Sequence, residues 1–296
     1  MSDSVVSCPR TEHSRYYWAL REVLVAQEQR VATTLAHAEV LGTPYGEETV
    51  TESMLLELAR QQGGDPLLSA RTYERRAEAQ SGADWMWAFR GRGGGIYAFL
   101  VQAKRWHRDG YRVNQRAASS LTKEHSGALL QRDVLLDVAQ QLYVPALYAF
   151  YVPQPLVVEL TTRCSWEWNL GQAGGVALAD ARKVDVAAQG QPSTRGYVTA
   201  DVFASISKPM SCALLCSHGS ATEIPLDRRI EDGLAVADMA DSQEGRATGE
   251  VHEYLEQLFN ASRAVRYGDA EAAAEEMLGA LGVQNVLLVD ELGPEH

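Results

Sequence analysis

The chain has 296 residues, 46% hydrophobic and 22% charged, the balance of a folded globular protein and not of a disordered one. No stretch approaches the roughly 18 to 20 apolar residues of a membrane-spanning helix, and Met1-Ser2-Asp3-Ser4 does not open a secretory signal. Cys8, Cys164, Cys212 and Cys216 are too scattered for a disulfide scaffold, so the expectation is a cytoplasmic protein with no membrane partner.

In chain order, residues 14–41 predict a helix, because Tyr17, Leu20, Leu24, Val31, Leu35 and Ala38 recur at three- and four-residue spacing without proline. Gly42-Thr43-Pro44-Tyr45-Gly46 breaks it, and a second helix is expected from near Thr49 to the stop at Gly63-Gly64. Residues 65–82 show no period. Asp84-Trp85-Met86-Trp87-Ala88-Phe89 and Ile96-Tyr97-Ala98-Phe99-Leu100-Val101 are short and rich in aromatic or β-branched residues, and a glycine cluster joins them, which predicts a β-hairpin. The second strand ends in Gln102-Ala103-Lys104. Leu129 to Leu142 has helical spacing, and Ala146-Leu147-Tyr148-Ala149-Phe150-Tyr151-Val152 is a strand apolar enough to be buried on both faces. Residues 164–250 carry only short, mixed signals; 250–281 predict one or two helices, and Val286-Leu287-Leu288-Val289 a last strand.

The net charge of −12 stands against a nucleic-acid partner until its distribution is read. Residues 1–70 carry −5, residues 71–132 carry +7 and residues 133–296 carry −14. The basic block coincides with the hairpin and the loop after it.

That block holds a candidate constellation. Residues two apart on a strand share a face, so Gln102 and Lys104 point together, and Asp84, opening the adjoining strand, can approach them. A carboxylate, a carboxamide oxygen and an ammonium at one sheet end suit phosphodiester hydrolysis. Mg²⁺ takes hard oxygen ligands and acidifies a bound water, while a lysine offsets the charge of the transition state.

Asp84, 17 intervening residues and Gln102-Ala103-Lys104 resemble the PD-(D/E)xK nuclease superfamily, as does the order helix, strand, strand, helix, strand. The words Glu48-Thr49-Val50-Thr51-Glu52, Gly82-Ala83-Asp84-Trp85, Val101-Gln102-Ala103-Lys104-Arg105 and Pro145-Ala146-Leu147-Tyr148 resemble an uncharacterised bacterial branch of it. Ala83 stands where the superfamily has its proline, and Gln102 where it usually has glutamate.

The resemblance implies an α/β, restriction-endonuclease-like core, a mixed sheet flanked by helices, over residues 45–152. An N-terminal helical segment (1–44) would precede it and a C-terminal α+β region (153–296) would follow. It implies a Mg²⁺- or Mn²⁺-dependent nuclease acting on DNA, in roles such as restriction or defence against phage. Asp84, Gln102 and Glu52 would hold the metal, and Lys104 would position water or stabilise charge. Glu52 also fits a capping box with Thr49, and Glu48 lies four residues earlier on the same helix face. Arg105, Arg108, Arg112 and Gln131 are candidate nucleic-acid contacts, with Arg116 beside them. The alternative is an inactive nuclease-fold module that binds nucleic acid or a protein. A homodimer, and a regulatory partner or small-molecule activator, are further expectations for the flanking regions.

Two other patterns carry less. His107-Arg108-Asp109 with Asn114 imitates a kinase catalytic loop, but no nucleotide-covering lobe precedes it and no Asp-Phe-Gly follows. Cys212, Cys216 and His218 have no evident fourth zinc ligand and read as buried structural cysteines; Trp166 and Trp168 read as packing residues.

Overall fold

The structure, a computed structural model, describes residues 12–43, 45–60, 68–72, 81–107, 110–115, 130–153, 174–190, 197–215, 224–240, 244–263 and 285–291. Arg108, Arg116, Trp166, Trp168, Cys216 and His218 lie outside them. Its elements are α1 (Glu12–Leu41), α2 (Glu47–Arg60), β1 (Leu68–Thr72), β2 (Trp85–Arg90), β3 (Ile96–His107) and β4 (Gly110–Arg112). Then come α3 (Gln131–Leu142), β5 (Ala146–Tyr151), β6 (Val176–Asp180), α4 (Ala181–Gln189), β7 (Tyr197–Val198) and α5 (Ala200–Ile206). The last are β8 (Ser207–Pro209), α6 (Met210–Leu215), α7 (Leu226–Val236), α8 (Gly249–Arg263) and β9 (Asn285–Asp290).

β2 shows why the fold has two helical layers. Its residues are all buried, and alternation sends Trp85, Trp87 and Phe89 to one face and Met86 and Ala88 to the other. Both faces therefore need apolar cover. Trp85, Trp87, Phe89, Phe99, Val101 and Leu147 pack with Leu20 and Leu24 of α1, Val50, Met54 and Leu58 of α2, Leu214 of α6 and Ile230 of α7. On the opposite face Met86, Leu100, Tyr148 and Phe150 pack with Leu135 of α3, Val184 of α4, Phe203 of α5 and Phe259 of α8. Trp87 stacks on Phe89 at 5.2 Å between ring centroids, and Phe89 on Phe99 at 5.8 Å, distances at which aromatic pairs add to simple burial.

The sheet runs in the order β1-β9-β2-β3-β5-β6-β8. β2 and β3 form the expected antiparallel hairpin, Trp85 opposite Val101 and Arg90 opposite Ile96. β3 lies parallel to β5, with Gln102 opposite Tyr148 and Lys104 opposite Phe150. β9 enters between β1 and β2, parallel to β2, with Met86 opposite Val286. β4 and β7 branch from the far end of β3. The chain is thus α/β, a mixed sheet flanked by helices with an N-terminal helix. Residues 45–152 supply β1 to β5 and residues 153–296 supply β6 to β9 to this same sheet. Among the described residues, no helix is long and apolar enough to cross a membrane.

Where expectation and structure differ, the causes are local. The featureless 65–82 stretch contains β1, an edge strand held by its antiparallel ladder with β9. α2 begins at Glu47, two residues before Thr49, so Thr49 lies inside the helix and Glu52 cannot close a capping box with it; Thr51 meets the Tyr151 hydroxyl at 2.6 Å. In the unread 164–250 stretch, β6, β7, β8, α5 and α6 are each seven residues or shorter, too short to display a period.

Candidate active site

β3 outruns its partner. β2 begins opposite Val101, whereas β3 continues to His107. A strand edge without a partner presents N–H groups that must find acceptors, and beyond Val101 two carboxylates supply them. Ala103 N–H donates to Asp84 Oδ2 at 2.5 Å, and Arg105 N–H donates to Glu47 Oε2 at 2.9 Å. Amides on alternate strand residues are about 6.5 Å apart, so Asp84 and Glu47 stand in a row along the fork where the two strands part. Asp84 is held from behind: its N–H donates to the Val101 carbonyl at 2.9 Å, and its carbonyl accepts from Asn285 Nδ2 at 2.9 Å.

Gln102 and Lys104 form the floor. Gln102 is wholly buried, and its Nε2 donates to the Gly82 carbonyl at 2.7 Å. A carbonyl only accepts, so this bond fixes which way the amide points. Its Oε1 is left buried with no partner, a state that ordinarily costs about 1–3 kcal/mol. Lys104 is 1% exposed, and its three ammonium donors meet three oxygens: Gln115 Oε1 at 3.1 Å, Glu47 Oε1 at 3.2 Å and Gln131 Oε1 at 3.4 Å. Glu47 supplies the charge that offsets the buried ammonium, and its side chain is 24% exposed.

Gly82 makes this packing possible. Its φ of +67° lies in the left-handed region that favours glycine, and a Cβ there would sit 2.7 Å from the Gln131 carbonyl. Without that atom α3 starts directly against Gly82, and the Gln131 side chain reaches Lys104. Gln131 N–H also donates to the Gln115 carbonyl at 2.8 Å, tying the two lysine partners together. Tyr148, opposite Gln102, has a buried hydroxyl with no partner; burial is the main force pushing its phenol upward, against which Arg132 acts in the other direction. Asn285 Oδ1 is likewise buried without a partner.

The structure brings together Asp84, Gln102, Lys104 and Gln131 of the expected residues. It does not bring Glu52 there. Glu52 and Glu48 are exposed, because α2 points its first residue at β3, and Glu52, five residues on, lies about 140° further round the helix. Glu47, not Glu52, is the α2 glutamate that reaches β3, through Lys104 and the Arg105 N–H. Arg105 is tied into the fold, its Nη1 donating to the Tyr45 carbonyl at 2.7 Å. Arg112 is exposed on β4, and Arg108 lies outside the described residues. Cys212 is disulfide-bonded and so is not a free thiolate for zinc.

Sequence reading missed Glu47, Gln115, Tyr148 and Asn285. Glu47 had one signal, an acidic residue just after the Tyr45-Gly46 breaker, but acid at a helix start is explained by the helix dipole alone.

Residues 20–287 match a family of unknown function, DUF6615. The chain belongs to that family. The DUF6615 match takes in every side chain of the fork from Glu47 to Asn285, so what defines the family spans both halves of the sheet. No curated protein matches the sequence at a significant level.

Asp84, Glu47 and Gln102 carry oxygen atoms of the hard kind that a magnesium-class ion takes. Among the described residues no three His, Cys, Asp or Glu side chains cluster as a metal cage. Mg²⁺ asks for less: one or two carboxylates, other hard oxygens and retained waters. Asp84 and Glu47 offer carboxylates, and the unpartnered Gln102 Oε1 a neutral oxygen already stripped of water.

Proposed function

We propose that this protein is a metal-dependent nuclease that hydrolyses phosphodiester bonds in DNA, with the fork between β2 and β3 as its active site. One observation carries the reading: Asp84, Glu47, the unpartnered oxygen of Gln102 and the buried ammonium of Lys104 converge at one strand end. The resemblance of the Asp84 to Lys104 spacing to PD-(D/E)xK nucleases and the basic balance of residues 71–132 support it.

In this reading Asp84, Gln102 and Glu47 hold Mg²⁺ or Mn²⁺. The bound ion supplies a polarised phosphoryl oxygen and a more acidic water. The chain does the rest. Ala103 and Arg105 amides fix the two carboxylates before substrate arrives, which keeps reorganisation low. Gln115 and Gln131 aim the Lys104 ammonium, whose positive charge faces the developing charge on the phosphate. Lys104 and Gln102 are buried while Glu47 and Asp84 are partly exposed, so the scissile phosphate meets the carboxylate row first. Exposed Arg112 is a contact for the flanking backbone.

The test is conversion of supercoiled plasmid by purified protein with Mg²⁺ or Mn²⁺, beside Asp84→Ala and Lys104→Ala. Metal-dependent nicking that both substitutions abolish supports the reading; cleavage indifferent to both overturns it. A second reading has its own observation. Lys104 has all three donors engaged within the protein, and a neutral glutamine replaces a ligand carboxylate, as in a nuclease fold that binds without cutting. DNA binding with neither cleavage nor Mg²⁺-dependent stabilisation would favour that binder.

A further inference from the structure

Beyond the fork, β3 continues with β4 and β7 as a three-stranded ribbon whose two faces differ. Trp106, Tyr111 and Val198 share one face by register. The Tyr111 ring lies 4.4 Å from that of Phe150 and 4.8 Å from that of Phe203, so this face belongs to the core. The outer face follows by alternation. Arg105 and His107 share it on β3. His107 pairs with Gly110, two residues before Arg112, and Arg112 pairs with Tyr197. Arg112 is exposed, and Arg105, His107 and Tyr197 are half-buried. These four solvent-side positions hold two arginines and two aromatic rings, with no carboxylate among them.

The face is positive in a chain of net charge −12. Burial, then Arg105, lower the His107 imidazole from its ordinary 6.5, Arg112 and Lys104 add to them, and among the described residues Glu47 alone opposes. Three cations thus act there against one carboxylate. The face also starts at the fork. Arg105 N–H donates to Glu47, the partner of Lys104, and His107 lies about 6.5 Å further along the strand.

The arginines alone would suit a duplex, whose phosphates lie outside. The rings would not, because in a duplex the base faces are already stacked. An unpaired strand offers open base faces, and aromatic side chains beside cations are what hold it. His107 stands edge-on to Tyr197, 6.4 Å between ring centroids and 86° between planes, which sets the tilt of the phenol.

We propose that the outer face of the β3–β4–β7 ribbon binds an unpaired stretch of DNA beside the fork, Tyr197 stacking on a base and Arg112 contacting the backbone. His107 is a positioning residue for the Tyr197 ring. The choice of polymer rests on the nuclease reading, which this inference narrows to substrates with a single-stranded segment.

The experiment is fluorescence anisotropy of a labelled mixed-sequence DNA oligonucleotide, single-stranded or as a blunt duplex, titrated with the full chain in EDTA, so that binding is read without cleavage. The single strand is expected to bind several-fold more tightly than the duplex. Tyr197→Ala should weaken the single strand about tenfold or more, the scale of losing one stacked base, and leave the duplex nearly unchanged. Tyr197→Phe, which keeps the ring, should bind as the wild type does. Arg112→Ala should weaken both forms and lower the slope of log affinity against log salt by about 1. Should Tyr197→Ala fail to fold, Tyr197→Leu, which fills the space without an aromatic face, must show the same selective loss. The proposal is overturned if the duplex binds as tightly as the single strand, if loss of the ring leaves single-strand binding unchanged, or if it weakens both forms alike. The nuclease reading fails separately. Tyr197-dependent single-strand binding by a protein that never cuts DNA sustains this proposal and sinks that reading; metal-dependent cutting with binding indifferent to Tyr197 does the reverse.

Discussion

The β2–β3 hairpin buries a cation at each end, and the two are built differently. At the closed end, Arg90 meets Asp290 in a two-pronged pair at 3.1 and 2.5 Å, reaches Asn260 at 3.2 Å and lies 4.5 Å over the Phe259 ring. Arg90 and Asp290 are register partners, so the pair pins β2 to β9. At the open end Lys104 has one oxygen of Glu47 and two neutral amides, with an unpartnered carboxamide oxygen beside it. A bidentate, dry pair holds a fold together. At the open end the ammonium is a point charge held by one carboxylate oxygen and two amide oxygens, and that carboxylate's other oxygen accepts from the Arg105 N–H. The two ends thus hold their buried cations by different chemistry, and in the proposed reading only the Lys104 end serves catalysis.

Substitutions sharpen or break that contrast. The largest effect is expected at Lys104: Lys104→Met should lower metal-dependent cleavage by about 100-fold or more, the scale of removing one charge-stabilising group, while thermal stability changes little. Loss of folding in place of activity would erase the distinction between the two ends. Asp290→Ala should do the reverse, stranding Arg90 in the core at about 3–5 kcal/mol of stability, read as a lower urea midpoint. If that variant instead lost activity at unchanged stability, the closed end would not be structural.

Smaller effects follow at the fork's supports. Gly82→Ala places a Cβ against the Gln131 carbonyl and a side chain in a left-handed backbone, and should cost about 2 kcal/mol with weaker cleavage, because Gln131 shifts off Lys104. Gln102→Glu puts a carboxylate oxygen against the Gly82 carbonyl. Its Tm should fall without metal, recover with Mg²⁺, and respond to Mg²⁺ more than the wild type does; equal Mg²⁺ shifts in both would speak against Gln102 as a ligand.

Glu28 gives the mildest test, remote from both ends. It is fully buried, accepts from Gly174 and Ser211 N–H at 2.5 Å each, and burial pushes its carboxyl from 4.5 up to about 7. The folded state therefore holds a proton that the unfolded chain has released between those values. Stability contributed by this group should fall as pH rises from about 4.5 to about 7 and stay level above it. Glu28→Gln should flatten that slope in urea titrations across the same window.

The fork was legible in sequence only where its geometry is local. Asp84, Gln102 and Lys104 belong to one hairpin, and strand alternation with a short glycine loop is enough to place them on one end. Glu47 lies 57 residues from Lys104 in the chain and Asn285 lies 201 from Asp84, so no period or turn signal relates them. Their places depend on how α2 and β9 dock. Val286 to Val289 read as a strand from its apolar run, but its insertion between β1 and β2 is a property of the sheet and not of those residues. The family resemblance points to Glu52, with Glu48 on the same face, but α2 begins at Glu47 and it is Glu47 that faces β3.

The claim that Glu47, Asp84, Gln102 and Lys104 act as one hydrolytic site is tested most directly by a double-mutant cycle in single-turnover DNA cleavage, comparing Asp84→Asn, Lys104→Met and the pair. Groups that act as a unit lose most of their effect together, so the double variant should be no slower than about the slower single one. Losses that simply multiply, or a wild type that cleaves no DNA with Mg²⁺ or Mn²⁺, would contradict the account.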